Sequence, residues 1–92
     1  MTRRVLAISP SDNVAVALEP LEAGVAVDVR GSRITVCDTI PSGHKIALAA
    51  IGAGEVVIKY GSPIGRATSP ITAGQHVHTH NLESTRGRGD RK

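Results

Sequence analysis

Glycine-containing turns divide the chain into short segments, and this division constrains the fold more than any other feature of the sequence. Four segments each place a glycine ahead of a new apolar run: Pro20-Leu21-Glu22-Ala23-Gly24, Ile40-Pro41-Ser42-Gly43, Ile51-Gly52-Ala53-Gly54 and Ile71-Thr72-Ala73-Gly74. Because glycine tolerates positive φ angles, each segment can reverse the chain sharply. The intervening runs are β-prone, and helical periodicity of useful length is absent. The sequence therefore predicts a compact all-β domain of short strands.

One pair of these runs has the form of a β-hairpin. Residues 25–29 and 34–37 are both β-prone, and the tight connection Arg30-Gly31-Ser32-Arg33 joins them. Residues 55–60 form the most strand-like run in the chain. Between two earlier runs, the pair Asp12-Asn13 closes a turn-prone cluster and favours an Asx-type turn.

The core of this domain has to be built without large aromatic rings. The 92 residues include no Phe or Trp and a single tyrosine, Tyr60, so Val, Ile, Leu and Ala must fill the interior. A domain of this size buries only about 60% of its unfolded surface. We therefore expect a partner chain, either a different subunit or another copy of this one, to contribute to its stability.

The single cysteine, Cys37, limits the covalent and metal chemistry available to the chain. One thiol cannot form an intramolecular disulfide or an all-cysteine metal cluster. Its surroundings, Ile34-Thr35-Val36-Cys37, are typical of a strand and predict a buried, inert thiol.

The positive charge of the chain is concentrated near its C-terminus. Of the formal net charge of +3, the last ten residues carry +2, from Arg86, Arg88, Arg91 and Lys92 against Glu83 and Asp90. We predict one domain over residues 1–82 and a basic, disordered tail over residues 83–92. A nearly neutral body with almost no aromatic side chains for base stacking argues against a nucleic-acid-binding role.

The sequence also gives no indication of a membrane protein. The N-terminal segment Met1-Thr2-Arg3-Arg4-Val5 is basic but lacks the apolar stretch of a signal peptide, and no run of about 20 apolar residues follows. We therefore expect a cytoplasmic location and no membrane partner.

The run His76-Val77-His78-Thr79-His80-Asn81 contains three of the four histidines. In an extended strand these imidazoles would project from one face, because side chains repeat with a period of two. Each two-residue step advances roughly 6.5 Å, whereas a Zn–N bond is about 2 Å long. A flat strand therefore brings two neighbouring imidazoles to one metal, but hardly all three.

A further ligand would have to come from elsewhere, and His44 in the turn-like segment Pro41-Ser42-Gly43-His44-Lys45 is the obvious candidate. A ligand from another chain would serve equally well. The predicted metal ligands are His44, His76, His78 and His80. Two alternatives stay open, in which the histidines are solvated strand residues or bind a substrate without a metal.

Four motifs occur in an order that resembles a known family: Asp12-Asn13-Val14-Ala15, Ile40-Pro41-Ser42-Gly43-His44-Lys45-Ile46-Ala47, Ile58-Lys59-Tyr60-Gly61-Ser62-Pro63-Ile64-Gly65 and His76-Val77-His78-Thr79-His80-Asn81. Up to Leu82, the chain resembles the SAF-type β-clip domain of the altronate and galactarate dehydratase family. The resemblance implies a β-clip fold and an iron-dependent (Fe²⁺) lyase that dehydrates a sugar acid or related hydroxy acid. It also implies a separate large catalytic subunit, without which this chain would be inactive.

The resemblance leaves alternatives open. Sulfolactate sulfo-lyase, which eliminates sulfite from a hydroxy acid, is built similarly, so the chain could be the small subunit of such an enzyme. A sugar-acid recognition or assembly module that makes no chemical contribution is the other alternative.

Elimination beside a carboxylate requires a base, an acid or Lewis acid for the leaving group, and cations that hold the substrate. The sequence offers His44 and His78 as the predicted catalytic residues, because histidine transfers protons near neutral pH. Lys45, Lys59 and Arg66 could bind a carboxylate or sulfonate. Of these, Lys45 and Arg66 are the predicted anion contacts, and Asn81 is predicted to orient the substrate. In the alternative without an anion site, Lys45 and Lys59 are solvated and Arg66 pairs with a carboxylate for a structural reason.

Overall fold

The computed structural model describes residues 4–84, and the chain forms nine short strands over this range. They are β1 (Val5–Leu6), β2 (Val14–Ala17), β3 (Ala26–Val29), β4 (Ser32–Thr35), β5 (Lys45–Ala47), β6 (Val56–Lys59), β7 (Ser62–Ala67), β8 (His76–Val77) and β9 (Leu82–Ser84). All strand pairs are antiparallel, in a central sheet of order β1-β2-β5-β8, a two-stranded sheet β3-β4 and a three-stranded sheet β6-β7-β9. The predicted all-β class is confirmed. Residues 4–84 contain no helix that could span a membrane.

Two tight hairpins flank the central sheet. In the β3-β4 hairpin the turn residues Arg30 and Gly31 have φ values of 52° and 83°, and in the β6-β7 hairpin Tyr60 and Gly61 have values of 54° and 79°. Positive φ at both central residues is the signature of a type I′ turn, whose twist matches that of the strands it joins. The hairpin predicted around Arg30 is therefore confirmed.

The core consists of two apolar clusters on opposite faces of the central sheet. Ala15, Ala17 and Ile46 belong to the cluster that packs against the β3-β4 hairpin. Val14 and Ala47, their neighbours along β2 and β5, belong to the cluster that packs against the β6-β7 hairpin. Side chains in a strand alternate between faces, so two short central strands supply both cores.

The two sides of the molecule repeat one another in their hydrogen bonds. The isolated bridge between Leu21 and Ile40 is matched by the bridge between Ile51 and Ile71, and all four side chains are buried. Residues 17–46 are called the first half below and residues 47–77 the second half. The recurring glycine segments in the sequence are the corners of this repeat.

Gly74 shows why one of these corners requires glycine. Its φ is +93°, and a Cβ at this position would lie 2.0 Å from the carbonyl oxygen of Thr35. The amide of Gly74 donates to the Ala47 carbonyl, as the amide of Gly43 does to the Ala17 carbonyl in the first half. At Gly43, however, a Cβ would have no neighbour within 4 Å.

The prediction that Cys37 is buried is wrong. Strand β4 ends at Thr35, and the Cys37 thiol is exposed. Because Ile34 and Val36 point into the core, the alternation of side chains turns Thr35 and Cys37 outward. The Cys37 Sγ lies 3.4 Å from the carbonyl oxygen of Ala73.

The predicted boundary after Leu82 falls inside β9. Glu83 and Ser84 continue this strand, and they lie opposite Arg66 and Gly65 of β7. The strands approach so closely that a Cβ on Gly65 would lie 2.2 Å from the Glu83 carbonyl oxygen. The rest of the predicted tail, residues 85–92, lies outside the described residues.

Candidate functional site

The register of β5 and β8 brings three histidines together at one end of the central sheet. Lys45 pairs with Val77 and Ile46 with His76, so extending the register by one residue places His44 opposite His78. His76 lies two residues before His78, and the centroids of their rings are 5.6 Å apart. The sheet therefore supplies the fourth histidine that the sequence analysis sought outside the run.

The histidine run does not continue as a strand. Strand β8 ends at Val77, and the chain turns over residues 78–81. The buried Asn81 side chain stabilises this turn, because its Oδ1 accepts from the His78 amide at 3.0 Å and its Nδ2 donates to the His76 carbonyl at 2.9 Å. Asp38 fixes the start of the run by accepting from the His76 amide at 3.1 Å.

His44, His76 and His78 form a compact cluster, named the histidine cluster here. The Nδ1 of His44 lies 2.9 Å from the Nε2 of His76, and the rings of His44 and His78 are stacked with centroids 4.2 Å apart. One nitrogen from each ring lies within 4.8 Å of the others, and all three side chains are half-buried. The exposed His80 is outside this group, although its ring centroid is 5.3 Å from that of His76.

The surroundings of His76 and His78 favour their neutral forms. Burial lowers the pKa of His76. Repulsion from His44, His80 and His78 lowers this pKa further, whereas Asp38 raises it. Burial also lowers the pKa of His78, with added repulsion from His44, Lys45 and His80. A neutral imidazole has a free lone pair, which can bind a metal or accept a proton.

An open pocket of about 270 Å³ adjoins the cluster, and His78 belongs to both. Its wall carries Lys45, Lys59, Ile64, His78, Thr79, Leu82 and Ser84. Lys45 comes from β5, Lys59 from the end of β6, and Ile64 from β7. Burial, followed by repulsion from Lys59, lowers the pKa of the Lys45 ammonium. This lysine pocket combines two cations, an imidazole, two hydroxyls and two apolar side chains.

The predicted site residues thus occupy different places. Lys45 lines the pocket, whereas Asn81 is engaged with the backbone of the histidine turn. Arg66 is exposed on β7, is not in the pocket wall, and donates from Nη1 to the Gly54 carbonyl at 2.8 Å.

Sequence reasoning named Lys59 as a possible anion contact but preferred Lys45 and Arg66, and it did not select Thr79 or Asp38. Lys59 and Thr79 line the pocket, and Asp38 holds His76. Thr79 could have been found from its position inside the histidine run. Nothing local in the sequence connects Asp38 with His76.

A family model described as the altronate/galactarate dehydratase SAF domain matches residues 3–85. Together with the antiparallel all-β topology, this match confirms the β-clip fold that the resemblance implied.

The similar proteins are of two kinds. The chain is 49% identical over 73 residues to altronate dehydratase of Escherichia coli (strain K12), in a match that covers 79% of this chain and 15% of that enzyme. It is 42% identical over 77 residues to altronate dehydratase of Bacillus subtilis (strain 168), with 84% and 16% covered. It is 45% identical over 62 residues to (2R)-sulfolactate sulfo-lyase subunit alpha of Paracoccus pantotrophus, with 67% of this chain and 92% of that subunit covered.

The chain therefore spans about a sixth of the length of the altronate dehydratases that it matches, but most of the sulfo-lyase subunit. The family model covers nearly the whole sequence, and the four motifs that carried the resemblance all lie within it. On these grounds the chain belongs to the altronate/galactarate dehydratase SAF-domain family.

Proposed function

We propose that the chain is the small subunit of a hydro-lyase of this family, acting on a sugar acid or related hydroxy acid together with a separate large catalytic subunit. The observation that carries the proposal is the histidine cluster beside a cationic pocket, in a domain whose relatives are named as dehydratases and sulfo-lyases. The size of the subunit-alpha relatives supports a separate small subunit, because the matched segment is 92% of one such chain.

Within this proposal the histidine cluster takes part in the elimination. Removing a proton α to a carboxylate requires a base, and expelling the leaving group requires an acid or a Lewis acid. His44 and His78 are proposed for proton transfer, since their stacked rings lie beside the pocket. The other components of an active site would come from the large subunit, because the small core of this chain offers little room for them.

The donor set also suits a divalent metal. His44, His76 and His78 present three half-buried imidazole nitrogens close together, and burial favours the neutral, metal-binding form of His76 and His78. Imidazole is a good ligand for zinc, copper, nickel and iron, so Fe²⁺ is proposed from family membership rather than from geometry. When bound, such an ion would supply Lewis acidity for the leaving hydroxyl. The proton transfer proposed for His44 and His78 then applies to the metal-free cluster, because a metal-bound imidazole nitrogen has no free lone pair.

Co-expression with a large subunit of the family tests this proposal. The complex is purified by a tag on this chain, and elimination from hydroxy acids is assayed with and without added Fe²⁺. We expect turnover only when both chains are present. Failure of any large subunit to co-purify, or turnover by the large subunit without this chain, would contradict the proposed role.

Single substitutions His44→Ala and His78→Ala in the reconstituted complex separate catalysis from assembly. Loss of turnover with unchanged co-purification supports a contribution to the active site. If turnover is retained, the chain is instead a recognition or assembly module, and its histidines only line an interface.

A second candidate is the small subunit of a sulfo-lyase, which the high coverage of subunit alpha favours. Both candidates use the same cluster and pocket but differ in the leaving group. Measuring sulfite release from sulfolactate and water elimination from sugar acids in the same complex decides between them.

A further inference from the structure

We propose that the lysine pocket binds the carboxylate of the hydroxy-acid substrate, with Lys45 and Lys59 as the two cationic contacts and His78 at the boundary with the histidine cluster. This inference rests on the proposed function and assigns the site of anion recognition within it. It replaces the predicted contact Arg66 with Lys59.

The charge distribution around the pocket supports an anionic ligand. Lys45 and Lys59 are both half-buried and line the same pocket. In residues 4–84 the ion pairs join Arg4 to Glu19 and Arg33 to Asp28, and neither pocket lysine has a carboxylate partner. Two ammonium groups that share a partly desolvated pocket repel one another, and a bound carboxylate would offset this repulsion.

Lys59 contacts the ring of Tyr60, and this contact leaves the ammonium charge free to bind an anion. Its Nζ lies 5.3 Å from the centroid of the Tyr60 ring, a distance typical of a cation–π contact. Such a contact orients the ammonium group without neutralising it. Lys59 can therefore be held in place and still accept an anion.

The shape of the pocket favours a small organic acid over a bare inorganic ion. Ile64 and Leu82 supply apolar surface on which a carbon skeleton can pack, and Thr79 supplies a hydroxyl for hydrogen bonds. A volume of about 270 Å³ is close to the lower end of the range for small-molecule sites. A hydroxy acid that carries one carboxylate and several hydroxyls matches this combination.

A β-bulge supplies one wall of the pocket. The pairing of β6 with β7 shifts register between Val57 and Ile58, so that Val57 faces Gly65 and Ile58 faces Pro63. Ile64, between these two partners, is the additional residue, and it lines the pocket. Bulges often occur beside active sites, where they redirect a side chain.

Binding of D-glycerate to the isolated 92-residue chain tests the inference. Amide chemical shifts are followed by NMR at constant ionic strength in the presence of EDTA, with the neutral analogue glyceramide as the ligand control. We expect saturable shifts at Lys45, Lys59 and Thr79 with D-glycerate and none with glyceramide. Lys45→Gln and Lys59→Gln should each weaken binding about 5- to 10-fold.

Two further variants make the result specific. Arg33→Gln removes the same charge from the surface of the other hairpin and should change the affinity less than two-fold, whereas Lys59→Arg retains the charge and should restore most of the binding. Equal affinities for Lys59→Gln and the unmodified chain, or binding of glyceramide as tight as that of D-glycerate, would overturn the assignment. The same holds if the lysine variants bind D-glycerate normally but lose the large subunit, because the lysines would then pair with carboxylates of the partner.

The NMR measurement of binding is independent of lyase turnover, because it requires neither the large subunit nor a metal. Binding in the pocket would stand even if the complex eliminated neither water nor sulfite. Conversely, if the complex is active but the small subunit does not bind D-glycerate in the pocket, the proposed function stands and the proposed carboxylate site is wrong.

Discussion

The two halves of the molecule share a backbone plan but differ in what they build on it. Each half has a buried bridge, a type I′ hairpin and a glycine corner, at positions 30 or 31 residues apart. Val29 precedes the turn of the first hairpin and is buried, whereas Lys59 at the same place in the second hairpin lines the pocket. The same type of turn therefore follows a core residue in one half and a pocket residue in the other.

The second hairpin has two features that the first lacks, a bulge and a third strand. Because the bulge adds Ile64, equivalent residues of the two halves are 30 apart in sequence before it and 31 apart after it. In addition, strand β9 pairs with β7. Leu82 of β9 and Ile64 face the lysine pocket, and the histidine turn connects β8 to β9. The first hairpin, by contrast, remains a regular two-stranded ribbon over its full register.

The largest expected effect comes from a glycine corner that differs between the halves. Gly74→Ala places a methyl group 2.0 Å from a backbone carbonyl oxygen at a φ of +93°, so we expect a loss of at least about 3 kcal/mol in the free energy of unfolding. Gly43→Ala has the same backbone strain but open space around the Cβ, and it should cost about 1 kcal/mol. Urea unfolding followed by far-UV circular dichroism measures both, and equal losses would contradict the steric argument.

Asp12 joins the second hairpin to the N-terminal segment, and its loss should have the next largest effect. Its carboxylate accepts from the amides of Ile8 and Ser9 through Oδ2 and from the amide of Gly61 through Oδ1. Asp12→Asn replaces one acceptor with a donor that faces these amides, which should cost about 2 to 3 kcal/mol. Hydrogen exchange should then quicken at Gly61 more than at Gly31, the equivalent residue of the first hairpin.

The same carboxylate predicts a pH dependence. Burial raises the pKa of Asp12, but the hydrogen bonds from Gly61, Ser9 and Ile8 outweigh burial and hold the pKa below 3.8 in the folded chain. The stabilisation is therefore complete above the unfolded-state pKa and is lost as the pH falls through the folded-state value. The difference in unfolding free energy between the unmodified chain and Asp12→Asn should shrink below about pH 4. A constant difference from pH 6 to pH 3 would refute this account.

Local signals in the sequence determine the fold better than the site. Glycine turns and β-prone runs correctly predict the all-β class and the first hairpin, because both depend on neighbouring residues. The exposure of Cys37 was not predicted, since it depends on the phase of one short strand. His44 joins His76 and His78 through strand pairing, and Lys59 shares a pocket with Lys45 although the two come from different sheets. Both arrangements depend on long-range packing that no local pattern specifies.

The histidine cluster allows the four predicted metal ligands to be ranked. We expect His44→Ala, His76→Ala and His78→Ala each to weaken Fe²⁺ or Zn²⁺ binding at least 10-fold, because their nitrogens lie within 4.8 Å of one another. His80→Ala should weaken it less than three-fold, since His80 is exposed and outside this group. Competition with a chelating dye at pH 7.5 gives the affinities. If His80→Ala lowers the metal affinity as much as His78→Ala does, the ligands must be a different set of residues.

The smallest expected effect is at Arg66, and it tests whether the second hairpin binds anions through its edge or through its pocket. The Arg66 guanidinium is exposed and donates to the Gly54 carbonyl, and the residue at the equivalent place in the first half is the neutral Thr35. Arg66→Gln and Lys59→Gln remove the same charge from the same sheet, so long-range attraction changes equally in both. Only Lys59→Gln removes a group from the pocket wall, and Arg66→Gln should therefore weaken D-glycerate binding less than two-fold. A loss for Arg66→Gln that equals the loss for Lys59→Gln would mean that the net charge of the hairpin, rather than the pocket, attracts the anion.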